Sequence, residues 1–166
     1  MVARVTGLPV LALLLVIGGC GNDTGETSAE AEPTNPVPTA ATLGEQTVLS
    51  ASEYLAQSPY TEADRRNGGR QAQLCRACHS LEKGGANMIG PNLNGFFGKP
   101  IGSSDGFDYS SAALDADFVW TPRALDAWLA QPGRFLPGNK MTFAGVRSAS
   151  DRADLITFLL EVTDEE

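Results

Sequence analysis

The five residues from Cys75 to His79 constrain this chain most, because they spell Cys-Arg-Ala-Cys-His. Two cysteines three positions apart lie on one face of a helix. The pattern Cys-x-x-Cys-His is the signature of covalent haem attachment, in which both thiols bond to one edge of a porphyrin. No other histidine occurs in the sequence, so His79 is the single imidazole that can ligate the iron. The sequence therefore predicts one covalently bound haem c.

Three other interpretations compete for these cysteines. Cys75 and Cys78 could be buried structural cysteines, or they could form the redox pair of a thiol-disulfide oxidoreductase. The oxidoreductase fold needs a βαβ pattern, which the sequence lacks. A zinc site is a poor alternative, because Cys75, Cys78 and His79 are crowded together and no second pair of ligands occurs elsewhere.

The N-terminus, residues 1–19, has the pattern of a secretory signal peptide, with Arg4 followed by an apolar run over residues 8–17. That run is shorter than the ~20 apolar residues that cross a bilayer. The segment leads into Ile-Gly-Gly-Cys, which resembles a bacterial lipobox and predicts cleavage that leaves Cys20 as a lipidated N-terminus. An ordinary signal peptide with a stray cysteine is the alternative. Lipidation would account for the third cysteine, because the haem uses the other two.

Residues 20–60 are rich in small and polar residues and contain few large apolar ones. Such a segment cannot bury enough surface to offset its ordering entropy, so we predict a lipidated, flexible, acidic linker. About 40 residues of this kind have a root-mean-square span of roughly 35 Å. The whole chain has a net charge of −8, but residues 67–166 hold twelve acidic against nine basic residues. This mildly acidic part has no basic face, which excludes nucleic acid as a partner.

A single small all-α domain is predicted for residues 61–166, because no stretch alternates like a β-strand. Apolar stripes and capping residues predict three main helices, which begin at Thr61 with Asp64, at Thr121 with Pro122, and at Ser150 with Asp151. Between residues 80 and 119 we expect loops and one short helix near Ser110. An irregular stretch of this length is uncommon in a compact domain. It is compatible with one when the loops pack on a large prosthetic group.

The second axial ligand separates an electron carrier from a catalyst, since chemistry on O₂ or peroxide needs an open iron position. A His/Met pair fills both positions and raises the reduction potential. Besides the initiator, the methionines are Met88 and Met141. Met88 lies only nine residues after His79 and is badly placed to cross the ring, whereas Met141 follows a Pro-Gly turn that can aim it back across the domain.

Several motifs in order resemble the class I cytochromes c, close to the mitochondrial cytochrome c and bacterial cytochrome c2 group. The resemblance covers roughly residues 61–161. Its motifs are the Cys75–His79 haem site, Gly90-Pro91-Asn92-Leu93, Gly106-Phe107-Asp108-Tyr109, Trp120, Pro137-Gly138-Asn139-Lys140-Met141-Thr142-Phe143-Ala144-Gly145 and Asp154-Leu155-Ile156-Thr157-Phe158-Leu159. It implies a small fold of three main helices and long loops around one covalently bound haem c.

The resemblance also implies roles for individual residues. His79 and Met141 would be the axial ligands, and the Pro91 carbonyl would accept a hydrogen bond from the other nitrogen of His79. The further haem-binding residues that it implies are Cys75, Cys78, Lys99, Tyr109, Trp120, Asn139 and Phe143, with Tyr109 and Trp120 donating to a buried propionate and Phe143 covering the haem. Alternatively, Tyr109 and Trp120 are simple core aromatics.

The chain departs from these relatives at several positions. They usually carry Arg where this chain has Lys99, which is a weaker propionate partner. They carry a haem-pocket Tyr at Trp128 and an Asn at Ala113, so we expect altered hydrogen bonding around the methionine sulfur. Lysines that ring the haem edge in mitochondrial relatives are replaced at positions that include Leu74 and Met88, so long-range steering of partners should be weaker.

These observations predict a monomeric, membrane-tethered one-electron carrier on the periplasmic side of the membrane in the bacterial cell envelope. Its partners would be membrane redox complexes: a donor of the quinol-cytochrome c reductase type and an acceptor of the terminal oxidase or reaction-centre type. The lipid anchor would keep the carrier near those partners at high effective concentration. The enzymatic alternative is a haem peroxidase or gas-binding sensor with a labile sixth ligand.

Overall fold

The structure is a computed structural model, and it describes residues 38–164. Six α-helices are present in this part of the chain. They are α1 (Ala51–Leu55), α2 (Arg65–Arg76), α3 (Ser111–Asp115), α4 (Pro122–Ala130), α5 (Pro132–Phe135) and α6 (Ala149–Val162). Two 3₁₀ helices, Ala40–Thr42 and Tyr60–Glu62, precede α1 and α2.

The three longest helices are α2, α4 and α6, in agreement with the predicted three-helix, all-α architecture. Residues 38–164 form no β-strand, and an isolated antiparallel bridge joins Pro100 to Val119. None of the helices described between these limits is long and apolar enough to cross a membrane. The long loops predicted between residues 80 and 119 are confirmed, with α3 as the expected short helix near Ser110.

Helices α2 and α6 cross closely, and Gly68 makes the crossing possible. A methyl group at Gly68 would overlap the backbone carbonyl of Asp154 and come within 2.9 Å of Phe158 Cβ. The Asp154 carboxylate fastens the beginning of α2 to α6, because it accepts hydrogen bonds from the Asp64 backbone N–H at 2.7 Å and from Asn67 Nδ2 at 2.8 Å. The crossing therefore fixes the direction of α2, the helix that leads to the Cys-x-x-Cys-His segment.

Two of the predicted helix starts need correction. Thr61 does not cap α2, because the chain first makes the 3₁₀ turn Tyr60–Glu62. Asp64 is itself the N-cap, and its carboxylate accepts hydrogen bonds from the first-turn amides of α2. The last helix begins at Ala149 with Ser148 as its N-cap, two residues before the predicted start. The start of α4 is confirmed, since Thr121 accepts a hydrogen bond from the Ala124 amide.

Part of the segment predicted as a free linker packs on the domain. Leu43 is only 1% exposed and belongs to the hydrophobic core. The Gln46 side chain donates to the Val119 carbonyl at 2.7 Å and to Thr121 Oγ1 at 3.0 Å, and it accepts from the Val119 amide at 3.0 Å. From residue 38 onward this segment is therefore part of the folded domain. Composition failed to indicate this because one buried leucine and one bidentate amide suffice to anchor a polar stretch.

The remaining N-terminal predictions lie outside the described residues. They are the signal peptide over residues 1–19, the lipidation site at Cys20 and the linker up to residue 37.

Candidate haem site

A cavity of about 850 Å³ opens between the end of α2, the long loops and the segment that leads into α6. Its volume lies in the range of cofactor-binding sites. The structure brings all of the predicted cofactor residues to this cavity: Cys75, Cys78, His79, Pro91, Lys99, Tyr109, Trp120, Asn139, Met141 and Phe143. Met88, which we judged a poor ligand candidate, is half-exposed and does not line the cavity.

His79 is held by the loop that follows α2. Its Nδ1 lies 2.7 Å from the Pro91 carbonyl oxygen, and because a carbonyl only accepts, Nδ1 carries the proton. This leaves the Nε2 lone pair for a metal. Burial lowers the pKa of His79, which favours the neutral ligand form, and the hydrogen bond to Pro91 opposes this effect in part.

Gly90 explains how the loop approaches the imidazole so closely. A methyl group at this position would lie 2.6 Å from both ring nitrogens of His79. The backbone of Gly90 also donates to the Cys78 carbonyl at 2.8 Å, which ties the loop to the Cys-x-x-Cys-His segment. Glycine at position 90 is therefore a packing requirement of the His79 ring.

Cys75 and Cys78 lie on the last turn of α2 and just after it, and no disulfide joins them. The amides of Cys78 and His79 both donate to the Cys75 carbonyl, at 3.0 and 2.9 Å, so the helical turn continues through the motif. Burial raises the pKa of the Cys75 thiol to about 11. A free Cys75 would therefore stay protonated at neutral pH, whereas thiol-disulfide oxidoreductases use thiolates with lowered pKa values.

Met141 is positioned by hydrogen bonds from two sides. Its amide donates to Asn139 Oδ1 at 2.8 Å, and Asn139 Nδ2 donates to the carbonyls of Pro132 and Leu136 at 3.0 and 2.8 Å. Asn139 thus uses its polar atoms to fold the Pro-Gly turn against α5. The indole Nε1–H of Trp128 donates to the Met141 sulfur at 3.3 Å.

Trp128 is the functional residue that the sequence assigned least clearly. From Trp128 and Ala113 the sequence predicted altered hydrogen bonding around the methionine sulfur without naming a donor, and the structure identifies the Trp128 indole as the donor to Met141. Trp128 is buried and packs edge-to-face on Trp120 and Phe135, with ring centroids 5.4 and 5.9 Å apart. These contacts fix the indole plane and hence the direction of its N–H.

Lys99 and Trp120 are brought side by side by backbone hydrogen bonds. The Trp120 amide donates to the Lys99 carbonyl at 2.9 Å, and the Gly98 amide donates to the Trp120 carbonyl at 2.7 Å. Tyr109 lines the same cavity, and its hydroxyl accepts a hydrogen bond from the Ser104 amide at 3.4 Å. The arrangement suits the polar, anionic end of a ligand whose remainder is apolar.

The residues of the cavity fit a covalently bound haem. Two thiols, a neutral imidazole with a free Nε2 lone pair, and a thioether sulfur converge on one mostly apolar space. Within residues 38–164, no group of three or more His, Cys, Asp or Glu side chains is arranged to hold a metal ion.

Comparison with known proteins identifies the family. No protein-family model matches the chain. Cytochrome c of Stellaria longipes is 40% identical over 105 residues, which cover 63% of this chain and 97% of that protein. Cytochrome c of Kluyveromyces lactis is 32% identical over 105 residues, with 63% and 96% covered, and that of Chlamydomonas reinhardtii is 45% identical over 89 residues, with 54% and 80% covered. The chain belongs to the cytochrome c family, whose members are electron carriers with one covalently bound haem c rather than enzymes.

Proposed function

We propose that this cytochrome c is a membrane-tethered, one-electron carrier in the bacterial cell envelope. In this proposal Cys75 and Cys78 would hold the haem covalently, and His79 and Met141 would bind its iron through a nitrogen and a sulfur. The observation that carries the proposal is the convergence of two thiols, one imidazole and one thioether on a single cavity. When bound, the haem supplies an iron that cycles between two oxidation states by gain and loss of one electron.

The residues around the two ligands limit how far they move. Pro91 fixes the His79 tautomer and ring orientation. Asn139 fixes the Met141 backbone, and Trp128 fixes its sulfur. A site whose ligands are held by the fold changes little in geometry with oxidation state, and such preorganisation is what a one-electron carrier requires.

The alternative functions are less well supported. A peroxidase or gas sensor needs a sixth position that opens readily, but Met141 is restrained at both its amide and its sulfur. A thiol-disulfide oxidoreductase needs an ionised thiol, but burial raises the pKa of Cys75.

We assign the membrane attachment to Cys20 and the location to the periplasmic side of the membrane. Residues 20–37 would link the lipid to the folded domain, and a fully extended chain of that length spans at most about 65 Å. The carrier would thus search for partners close to the membrane. We expect the donor to be a quinol-cytochrome c reductase type of complex and the acceptor a terminal oxidase or reaction-centre type of complex.

Replacing each methionine tests the ligand assignment. The Met141→Ala holoprotein should lose the sulfur-to-iron charge-transfer band of its oxidised spectrum and should bind carbon monoxide when reduced. The Met88→Ala variant is the matched control and should keep the wild-type spectrum, because Met88 does not line the cavity. Ready binding of carbon monoxide by the reduced wild-type protein would contradict the proposal.

Replacing Cys20 tests the anchor separately. The Cys20→Ser protein should move from the membrane to the soluble fraction while its haem content and spectrum stay unchanged. Retention of this variant in the membrane, or an intact wild-type protein whose N-terminal peptide carries no lipid, would contradict lipidation at Cys20 and leave the haem assignment untouched.

A further inference from the structure

The chain before α2 adds a segment to the part that resembles class I cytochromes c. That resemblance begins at about residue 61, whereas the described part of the domain begins at residue 38. We call residues 43–47 the strap. Leu43 anchors one end of the strap in the hydrophobic core, and Tyr54 holds the other end, because its hydroxyl donates to the Thr47 carbonyl at 2.8 Å. Gln46 lies between these two fixed ends.

The strap lies against the segment that carries Trp120. One side of this segment is paired with a neighbouring loop, because the Trp120 amide donates to the Lys99 carbonyl and the Trp120 carbonyl accepts from the Gly98 amide. Backbone groups of successive residues in an extended chain point to opposite sides, so those of Val119 face away from this loop. The Gln46 side chain pairs with both of them, since it accepts from the Val119 amide at 3.0 Å and donates to the Val119 carbonyl at 2.7 Å.

The Gln46 side chain therefore takes the place of a neighbouring strand. An edge whose N–H and C=O groups lack such partners is open to water and to movement. Gln46 Nε2 also donates to Thr121 Oγ1 at 3.0 Å, and Thr121 is the N-cap of α4. One amide thus holds Val119 and Thr121, the residues on both sides of Trp120.

Two indoles of the haem site depend on this segment. Trp120 lies within it and lines the cavity. Trp128 lies on α4, which begins there, and its indole donates to the Met141 sulfur at 3.3 Å. The two rings also pack edge-to-face, with centroids 5.4 Å apart. A shift of the segment would therefore disturb both Trp120 and the donor to Met141.

We propose that Gln46 is a positioning residue of the haem site, which acts through Trp120 and the start of α4. This proposal rests on the function proposed above. Gln46 itself does not line the cavity, so its influence is indirect. Loss of its amide would admit water beside Trp120 and loosen the hydrogen bond from Trp128 to the Met141 sulfur. Solvent access and hydrogen bonds to the ligands both set the reduction potential, and more water favours the more positively charged, oxidised iron.

Replacing Gln46 by methionine in the full-length holoprotein tests the proposal, because methionine keeps the length of the side chain and removes its donor and acceptor. At a fixed potential near the midpoint, the ratio of reduced to oxidised protein should fall about threefold, within the net contribution of one hydrogen bond. Hydrogen exchange of the Trp120 amide, which is bonded to Lys99 rather than to Gln46, should become about tenfold faster. Gln46→Ala is a second variant and should show the same two changes.

Two control variants separate positioning from stability. Gln57 Nε2 also donates to a backbone carbonyl, that of Glu53 at 2.9 Å, but this hydrogen bond lies at the end of α1. Gln57→Met should therefore keep the wild-type ratio and exchange rate. Ile156 is fully buried in α6 and does not line the cavity, so Ile156→Val should lower the stability and leave the ratio unchanged.

The outcomes separate the positioning role from the carrier function. A wild-type ratio in the folded Gln46 variants, or a wild-type exchange rate at Trp120, would overturn the positioning role. An equal fall of the ratio in Ile156→Val would also overturn it, because the effect would then follow stability alone. A wild-type protein without haem, or one that ferricyanide does not oxidise, would overturn the carrier function itself.

Discussion

Replacing Leu43 by alanine tests whether the chain before α1 belongs to the cooperative folding unit. Leu43 is 1% exposed, and truncating buried leucines to alanine costs about 2.7–5.0 kcal/mol, depending on the cavity that remains. A single 3₁₀ turn, Ala40–Thr42, supports the neighbouring chain, so this chain can partly close the gap. We therefore expect the free energy of unfolding to fall by about 3 kcal/mol, towards the lower end of that range.

Guanidinium titration of the holoprotein, followed by far-UV circular dichroism, measures this loss. The m-value should stay constant, because the surface exposed on unfolding hardly changes. Thermal unfolding should show a decrease in Tm of roughly 12 °C, at about 4 °C per kcal/mol for a domain of this size. The Val48→Ala variant is the matched control: Val48 is 49% exposed, and its truncation should change stability by about 0.5 kcal/mol.

A second variant makes the test independent of cavity formation. Gln46→Ala removes the hydrogen bonds to the Val119 amide and carbonyl, which lie in a partly buried position. Leaving such groups without partners costs about 1–3 kcal/mol. If Leu43→Ala and Gln46→Ala both resemble Val48→Ala, residues 38–47 detach without loss of the fold, and the reasoning is refuted.

Three further predictions concern the site and one ionisable group. Trp128→Phe removes the hydrogen bond from the indole to the Met141 sulfur. The reduction potential, measured by redox titration, should fall by a few tens of millivolts, which corresponds to a free energy on the order of one hydrogen bond. An unchanged potential would contradict this. Gly90→Ala should reduce the holoprotein yield several-fold, measured by haem staining, because the added methyl group overlaps His79, whereas Gly133→Ala should not, because its methyl group meets nothing within 4 Å. Burial, reinforced by a nearby carboxylate, raises the pKa of Tyr60 to about 12, so a phenolate absorbance step near that pH should be missing in Tyr60→Phe. The unfolded chain ionises near pH 10, so this tyrosine lowers the stability of the fold as the pH rises from about 10 to about 12.

Features that depend on a few neighbouring residues could be predicted from the sequence. The N-cap at Thr121 with Pro122 after it is such a feature, since the cap and the proline act within one turn. The grouping of Cys75, Cys78 and His79 at one cavity is another, because helical spacing alone puts these residues on one side.

Features that depend on distant contacts were predicted poorly. The linker boundary was placed at residue 60, because composition averages over many residues and overlooks Leu43. The donor to Met141 could not be deduced, because Trp128 and Met141 lie on different elements and the direction of the indole is set by aromatic packing. In both cases a tertiary contact decided the outcome, and no local pattern encodes that contact.

Gly68 shows most clearly how tertiary structure reverses a local argument. Glycine inside a helix is less favourable than alanine by about 1 kcal/mol, so the sequence alone counts Gly68 against α2. In the fold the same residue lets α2 approach the Asp154 carbonyl, where any larger side chain would overlap it. Gly68, Ala72 and Cys75 are four and three residues apart and therefore share one face of the helix. The contact that requires a glycine thus also sets the rotation of α2, and with it the direction from which Cys75 enters the haem cavity.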